Sequence, residues 1–549
     1  MEPGSATLSP VDKAGAWIDW IVAIALTCAT VGLHLARTIH AGGLWRDEVA
    51  ALAVARSSTS AEMWAGMAHE VIPVVPLLIL RAWTHMSWAA TDLGLRVLGC
   101  GVGLLVVGAL WSNARSTGRS QPLISVMLLG LGADVIIWGD SVRHYGISMA
   151  VTLLMFGAIW RLVESASPVR VAVAVSLMVL SVQCAYPNAY LVLGGCLGGA
   201  AVLARRQLWH RVWIVLGGGL IAAASLLFYV SRWQKMGEWA VVVQSPVTFS
   251  TIVGSAAHAL GSPNASMLVI WVLLVAIGVV GAIRVNANRE SRAEAGRRAD
   301  LALFALIAFA ISTTSYLFWL VRARYVTYDW NYLPLMAPMA WCTECMVEAS
   351  LPRGAARVAR SAILVAFAVV ILPGTWREIQ TRQTNMDLVA AHLNETVAQN
   401  DLIVVSPWLG LISLRRYYSG TAPCMTIPPM EPVTYHRFDL LEDRMSSENV
   451  MAPLLRVMDE TLRAGNKVWL VGGLRFLAPG QEALVVPPTP RSGIREGYIY
   501  EEAWSSQAAQ HILSHIVKRE AVEIRSGDPI SPFENFPLFV VEGWIEHPE

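Results

Sequence analysis

Long apolar stretches separated by short polar segments occupy roughly the first two thirds of the chain. A helix rises about 1.5 Å per residue, so each stretch is long enough to cross a hydrocarbon core of roughly 30 Å. The predicted spans are 17–39, 93–111, 121–138, 145–163, 168–185, 188–204, 212–231, 267–284, 301–321, 331–347 and 359–375. This pattern predicts a polytopic α-helical membrane protein with about 11 to 13 transmembrane helices.

One further apolar segment, 71–90, is interrupted by Pro73, Pro76, Arg81 and His85. Arg residues concentrate in every second loop between the other spans, and basic residues accumulate in short cytoplasmic loops. If those loops and the N-terminus are cytoplasmic, 71–90 cannot cross completely, and we expect it to be re-entrant or interfacial. Eleven full spans then remain. The weaker alternative lets 71–90 cross and places the basic loops on the other side.

The composition changes after about residue 376, where charged residues become frequent and Pro-rich stretches appear. Helix and strand patterns alternate there, which is typical of a small α/β domain. The predicted elements are helices 387–399, 450–463 and 503–517 and strands 402–406, 467–471 and 537–541. We therefore predict two domains: a transmembrane domain, 1–376, with a large first outer loop, 40–70, and a soluble extracytoplasmic α/β domain, 377–549.

The overall composition supports this organisation. Hydrophobic residues make up 55% of the chain and charged residues 15%, and the mean hydropathy of +0.50 lies outside the range of soluble globular proteins. The net charge of +1 gives no general electrostatic reason to expect a nucleic-acid partner. Candidate chemistry must be sought in local clusters.

Polar residues recur at the membrane edges, and in the predicted topology they fall on one face, the outer one. They are Asp47, Glu48, His69, Glu70, Asp140, Arg143, Tyr186, Asn188, Arg322 and Arg324. The orientation rests on how many basic residues each loop holds, and that count does not by itself require these polar residues to share a face. Polar residues gathered at one membrane face are expected to form a site.

Asp47 and Glu48 follow the first predicted span directly. Adjacent side chains diverge on a helix or strand, so one carboxylate can face a substrate while the other holds a neighbouring loop. A carboxylate within reach of a hydroxyl or amine acceptor could act as a general base. The alternative is a pair of solvated loop residues.

Arg143 lies in the polar segment 139–146 between two predicted spans, and Arg324 opens the loop that leads to Pro334. Arginine binds phosphate oxygens through two parallel donors, so an outer-face Arg could hold a lipid phosphate. The alternative for Arg143 is a side chain that reaches the lipid headgroups and pairs with Asp140. For Arg324 the alternative is a plain interfacial anchor.

Several short motifs, taken in order, resemble the GT-C superfamily of polytopic glycosyltransferases, in particular the branch of the protein O-mannosyltransferases and the lipid A aminoarabinose transferase. The motifs are Arg46-Asp47-Glu48, His69 followed by Pro73 and Pro76, Arg143-His144-Tyr145, Tyr186-Pro187-Asn188, and Arg324-Tyr325 before Pro334. The resemblance covers roughly residues 17–376.

The resemblance implies an inverting glycosyltransferase that takes a sugar from a polyprenyl-phosphate donor and passes it to a glycan, lipid or protein acceptor. Asp47 would be the base, Glu48 would support the loop or the sugar, and Arg324, with Arg143 and Tyr325, would bind the donor phosphate. The implied substrate-binding residues are His69, Glu70, Asp140, Tyr145, Tyr186 and Asn188. No paired acidic metal motif is present; no cofactor is certain, and a divalent metal ion is left open.

The resemblance implies an integral protein of a bacterial inner membrane, among membrane lipids, with its site and tail facing the periplasm or exterior.

A transporter or flippase of a lipid-linked saccharide is the alternative function, because it would also need Arg near a phosphate and acids near a sugar. Transporters often show internal repeats and polar residues at mid-membrane. The chain shows neither pattern, which favours the enzyme. A structural membrane subunit would leave the outer-face cluster unexplained.

Overall fold

The computed structural model describes residues 10–118, 121–234, 247–287, 293–323, 327–350, 355–478, 480–489 and 496–546. Its N-terminal part is helical. The helices there are α1 Pro10–His40, α2 Arg46–Ala55, α3 Ser60–Glu70, α4 Val74–Thr84, α5 Asp92–Ser116, α6 Ile124–Gly130, α7 Ala133–Gly139, α8 Tyr145–Glu164, α9 Pro168–Cys184, α10 Asn188–Arg205, α11 Trp209–Ala224, α12 Phe249–Gly261, α13 Ala265–Ala287, α14 Ala293–Ala323, α15 Leu333–Ser350 and α16 Ala355–Ile379. Short 3₁₀ helices occupy Ser87–Ala90, Ser225–Tyr229 and Asp329–Tyr332.

Within the described ranges, eight helices are long and apolar enough to cross a membrane. They cover Ala14–His40, Asp92–Ser116, Tyr145–Glu164, Asn188–Arg205, Trp209–Gln234, Ala265–Ala287, Gly296–Ala323 and Ala356–Ile379. Each coincides with one of the eleven predicted spans. The chain is therefore a polytopic helical membrane protein, and three predicted spans differ.

The predicted span 121–138 is wrong as a single helix, because the chain breaks between α6 and α7. Gly130 packs so closely on α1 that an added Cβ would lie 2.1 Å from Oγ1 of Thr30. The carboxylate of Glu344 accepts hydrogen bonds from the backbone N–H groups of Leu123, at 2.6 Å, and Ile124, at 3.2 Å. Two short helices therefore replace one long span, and Glu344 satisfies free backbone N–H groups at the start of α6.

The other two predicted spans, 168–185 and 331–347, form continuous helices that are not among these eight. The helix at 168–185 has 17 residues, which gives a length of about 26 Å. The helix at 331–347 is α15, and its residues 333–347 are all buried. It lies between neighbouring helices, so lipid exposure is not what makes it apolar.

The Pro-interrupted segment 71–90 forms α4 and a 3₁₀ turn. The 11 residues of α4 span about 16 Å, roughly half of a hydrocarbon core. Pro73 is the N-cap of this helix, and the 3₁₀ turn Ser87–Ala90 precedes α5. This helix is too short to cross a membrane by itself, and its residues Pro76, Leu77 and Leu80 are buried in the protein.

The C-terminal part is built on a sheet. Its helices are α17 Met386–Thr396, α18 Gly410–Tyr417, α19 Phe438–Met445, α20 Ala452–Arg463 and α21 Gly497–His515, with a 3₁₀ turn at Pro532–Glu534. Its strands are β1 Leu402–Ser406, β2 Cys424–Thr426, β3 Val468–Gly472, β4 Lys518–Val522 and β5 Leu538–Glu542. In the described residues they form one five-stranded sheet of order β2-β1-β3-β5-β4. β1 pairs in parallel with β2 and β3, whereas β5 pairs antiparallel with β3 and β4.

This C-terminal sheet region contacts the first loop and the start of α5 in the helical part. The N–H of Leu44 donates to the hydroxyl of Tyr417 at 2.6 Å, and that hydroxyl donates to Asp92 at 2.6 Å. The N–H of Arg46 donates to the carboxylate of Glu534 at 2.9 Å. The tail and the Asp47 loop therefore lie on the same side of the membrane helices.

Candidate active site

The first loop after α1 turns directly into α2, so that Asp47 and Glu48 stand in the first turn of a helix. Carboxylates are favourable there because they face free backbone N–H groups. The N–H of Trp45 donates to Glu48 at 3.2 Å, which closes the turn. The Trp45 ring is buried against Trp138 and Trp330, at centroid distances of 5.2 and 5.5 Å. The loop is held in place by packing.

Glu48 is completely buried. Its carboxylate accepts a short hydrogen bond from the buried guanidinium of Arg96 on α5 and a 2.8 Å bond from the N–H of Val142. Arg96 also donates to the carbonyl of Gly43 at 2.8 Å. Glu48 therefore ties the first loop to α5 and to the segment that carries Arg143, and its contacts are with the protein itself.

Asp47 points the other way, and its side chain is 16% exposed. Its carboxylate lies 3.3 Å from Nε2 of His436, 3.6 Å from Nε of Arg46 and 4.0 Å from Nη2 of Arg143. Arg143 also donates to the backbone carbonyl of Asp47 at 3.0 Å. Three cationic groups thus surround a partly accessible carboxylate.

Glu70 ends α3 and is buried beside this cluster. It accepts 2.7 Å hydrogen bonds from Nη1 of Arg143 and from Nδ1 of His436. The next residue, Val71, has a φ of +54°, which is strained for a β-branched side chain. This turn ends the helix at Glu70 and leads into α4.

Burial by itself would raise the pKa of Asp47, but the hydrogen bond from His436 and the charges of Arg143 and Arg46 outweigh it and hold the pKa well below its usual range. The pKa of Glu70 is also lowered, because His436 and Arg143 outweigh its burial. Burial would lower the pKa of His436, yet the two carboxylates raise it to about 9. At neutral pH both acids are ionised and His436 is a cation.

Arg143 connects this charged cluster to a small apolar cavity. The cavity is lined mainly by side chains of α4 and α5, with Ser141, Arg143 and His144 among its walls. Nε of Arg143 is buried and has no acceptor among the described residues. One donor of the guanidinium is thus left for a further anion next to an apolar space.

The other predicted residues of this region occupy different positions. Asp140 is buried and lies 2.7 Å from Nδ1 of His34 on α1, so it joins two helices beneath the cluster. Tyr145 is buried at the start of α8, with its ring 4.3 Å from that of His144. His69 lies 3.7 Å from Asp439 and packs on Tyr435 of the C-terminal domain.

Tyr186 and Asn188 make separate sets of contacts. The Tyr186 ring packs between Tyr229 and Trp233, at 5.1 and 5.6 Å. Asn188 is buried and donates to Ser148 at 2.8 Å and to the carbonyl of Ser181 at 2.8 Å, which ties α10 to α8 and α9. The contacts of Asn188 are structural. Arg324 and Tyr325 lie outside the described residues.

Two residues of the site were missed by the sequence analysis. Arg96 carried a usable signal, because an ionisable residue inside an apolar span requires a buried partner. His436 carried none, since it stands in an irregular stretch of the tail about 390 residues after Asp47, and only the docking of the two domains brings the side chains together.

The described residues contain one group of three side chains that could hold a metal ion: Asp134, His258 and Asp329, whose ligand atoms lie within 4.8 Å of one another. Nδ1 of His258 lies 3.0 Å from Asp329. This group comprises none of the residues around Asp47. The acids at Asp47 and Glu70 fit a metal ion poorly, because cationic side chains already neutralise them.

No protein-family model and no curated protein sequence matches this chain. Solved structures similar to it include the following two. One is the oligosaccharyltransferase AglB of Archaeoglobus fulgidus in complex with an inhibitory peptide and a dolichol-phosphate, with 12% identity, coverage of 84% of this chain and 70% of that chain, and a TM-score of 0.47. The other is an Archaeoglobus fulgidus oligosaccharyltransferase tethered to an acceptor peptide, with 10% identity, coverage of 97% and 74%, and a TM-score of 0.48.

Both neighbours are described as oligosaccharyltransferases. Their identity to the chain is too low to transfer a substrate or a residue role.

Proposed function

We propose that this protein is a membrane glycosyltransferase that transfers a sugar from a polyprenyl-phosphate donor to a glycan, lipid or protein acceptor on the outer face, with inversion at the anomeric carbon. The observation that carries the proposal is the position of Arg143. Its guanidinium contacts the Asp47 loop and Glu70, lines an apolar cavity and retains one buried, unused donor.

A polyprenyl phosphate combines an apolar chain with an anion, and the region around Arg143 offers a complement to both parts. The walls of the cavity, including Pro76, Leu80, Leu98 and Val102, suit the isoprene units nearest the phosphate. The free Nε–H of Arg143 can donate to a phosphate oxygen. Arg324 and Tyr325 are proposed as further phosphate contacts on the basis of their motif.

In the proposed step an acceptor hydroxyl or amine attacks the anomeric carbon while its proton passes to the carboxylate of Asp47. The bond between the anomeric carbon and the phosphate oxygen breaks, and its electron pair leaves with the polyprenyl phosphate. Attack from the side opposite the leaving group inverts the configuration. Arg143 stabilises the negative charge that develops on the departing phosphate.

The depressed pKa of Asp47 is compatible with this role. An attacking hydroxyl becomes strongly acidic only as its bond to the anomeric carbon forms, so a weakly basic carboxylate suffices to accept the proton late in the step. A carboxylate has two oxygens and about four lone pairs. Oδ1 of Asp47 lies 3.3 Å from Nε2 of His436, and Oδ2 lies 4.0 Å from Nη2 of Arg143, beyond hydrogen-bond distance. Oδ2 can therefore accept the acceptor's hydrogen bond.

The proposed step needs no metal ion at Asp47, because Arg143, Arg46 and His436 supply the positive charge there. The predicted orientation places the site and the C-terminal domain outside, in the periplasm of a bacterium. It is supported by the distribution of Arg residues among the loops.

The test is transfer from a panel of radiolabelled polyprenyl-phosphate sugars into membrane extract by the purified protein and by Asp47→Asn. We expect the wild type to form a labelled product and the variant to lose at least about 100-fold in rate, since an amide cannot accept the proton. Donor binding should change little, because the amide keeps the shape of the side chain.

Glu482→Gln serves as the control, since this exposed carboxylate lies in the C-terminal domain away from the site. Full activity of Asp47→Asn would show that Asp47 is not the base. Movement of lipid-linked sugar across vesicle membranes without any sugar transfer would instead support the alternative that the protein is a transporter.

A further inference from the structure

His436 belongs to the C-terminal domain, in the stretch between β2 and α19, yet its side chain reaches the carboxylates of the membrane domain. Its Nδ1 lies 2.7 Å from Glu70 and its Nε2 lies 3.3 Å from Asp47. Its backbone N–H also donates to Glu70, at 3.3 Å. The ring is parallel to that of Phe438, with 5.9 Å between centroids, and the side chain is only 10% exposed. Both ring nitrogens are thus used between two acids.

We propose that His436 is the positioning residue of the base: clamped on Glu70, it holds the carboxylate of Asp47 in place, so that the C-terminal domain completes the active site. This inference rests on the proposed function and deepens it. No bond to His436 is made or broken in the step.

Whether His436 can bridge Glu70 and Asp47 depends on the charge of its ring. A doubly protonated imidazole has two N–H donors and can bridge both acids, whereas the neutral ring has one and must release one of them. The titratable and charged groups that surround His436 are Arg46 and Asp47 from α2, His69 and Glu70 from α3, Arg143 before α8, and Tyr435, Arg437 and Asp439 from its own segment.

Glu70 and Asp47 raise the pKa of His436 to about 9. The folded protein therefore keeps the bridge at neutral pH and loses it as the pH rises through about 9. A histidine that only fixed the domain would change stability in this range without changing the rate constant of the folded enzyme.

The decisive experiment is the pH profile of kcat and KM for the wild type and for His436→Gln, measured with the donor that the wild type uses. We expect kcat of the variant to fall about 10- to 100-fold at pH 7, because a misplaced base costs rate, while KM for the donor stays within about twofold. We expect kcat of the wild type to decline above about pH 9, and this decline to be absent in the variant.

His511→Gln is the matched control, because His511 lies in the same domain and pairs with a carboxylate, Asp459, at 2.6 Å. It should retain the wild-type kcat and the alkaline decline. If the His436→Gln protein does not fold, the pH profile of kcat for the wild type still tests the proposal. A wild-type kcat that stays constant up to pH 10 would overturn the proposal.

A second experiment tests the chain of contacts. Glu70→Gln and His436→Gln should be strongly non-additive in log kcat, since Glu70 acts on Asp47 partly through His436. Additive losses would contradict the bridge. The two proposals fail differently: no transfer by the wild type refutes the proposed function, whereas transfer that depends on Asp47 but not on His436 refutes only this inference.

Discussion

Asp47 and Glu48 are neighbours in the sequence, yet they occupy opposite environments. Successive side chains on a helix point about 100° apart, so Asp47 faces His436 and Arg143 while Glu48 enters the core beside Arg96. The sequence analysis anticipated this division but gave no basis for choosing a partner for either acid. The partners come from α5 and from the C-terminal domain, whose positions no local pattern contains.

The buried pair of Glu48 and Arg96 gives a prediction about stability. Glu48→Gln leaves the guanidinium of Arg96 buried without its counter-charge, which should cost about 3–5 kcal/mol of unfolding free energy. Thermal unfolding in detergent would measure the effect. Glu48→Gln combined with Arg96→Met should recover part of the loss, since no unpaired charge remains. Wild-type stability of the single variant would refute the structural role of Glu48.

At the scale of elements, the site depends on how closely α5 approaches the segment before α8. Gly99 on α5 packs against the backbone of Asp140, three residues before Arg143, and an added Cβ would lie 1.8 Å from that carbonyl oxygen. Backbone cannot yield as a flexible side chain can. The small residue at this helix position therefore sets where Arg143 stands relative to Asp47.

We expect Gly99→Ala to reduce the unfolding free energy by about 1–3 kcal/mol and to lower the transfer rate, because the segment carrying Arg143 must shift. Gly101→Ala is the matched control: it lies two residues away on the same helix, and a Cβ there meets nothing within 4 Å. It should keep wild-type stability and activity. Equal behaviour of the two variants, by thermal unfolding and by transfer assay, would contradict the close contact.

At the scale of the whole molecule, the helical part and the C-terminal sheet region both contribute side chains to the cluster around Asp47. The C-terminal sheet region contacts the first loop at Leu44 and Arg46 and the start of α5 at Asp92, and in this position His436 reaches Asp47. Activity should then depend on docking contacts that touch no substrate.

Tyr417→Phe tests this dependence. It removes a hydroxyl that bonds Leu44 and Asp92, leaving a backbone donor unsatisfied at a cost of about 1–3 kcal/mol. We expect lower kcat and faster hydrogen exchange over residues 428–437. Tyr498→Phe, at a side chain that is 55% exposed, should change neither. Unchanged exchange and unchanged kcat in Tyr417→Phe would show that docking does not control the site.

The sequence by itself determined the membrane class, eight of the spans and the alternating elements of the tail, because long apolar runs and period-two or period-3.6 patterns are local properties. It also placed Asp47, Glu70 and Arg143 on one face through charge distribution. Tertiary structure alone decided the break at Gly130, the burial of Glu48 and Asp140, and the arrival of His436 at Asp47. These depend on which distant segments pack together, and the free energy of such contacts is a property of the pair, which neither segment carries in its own sequence.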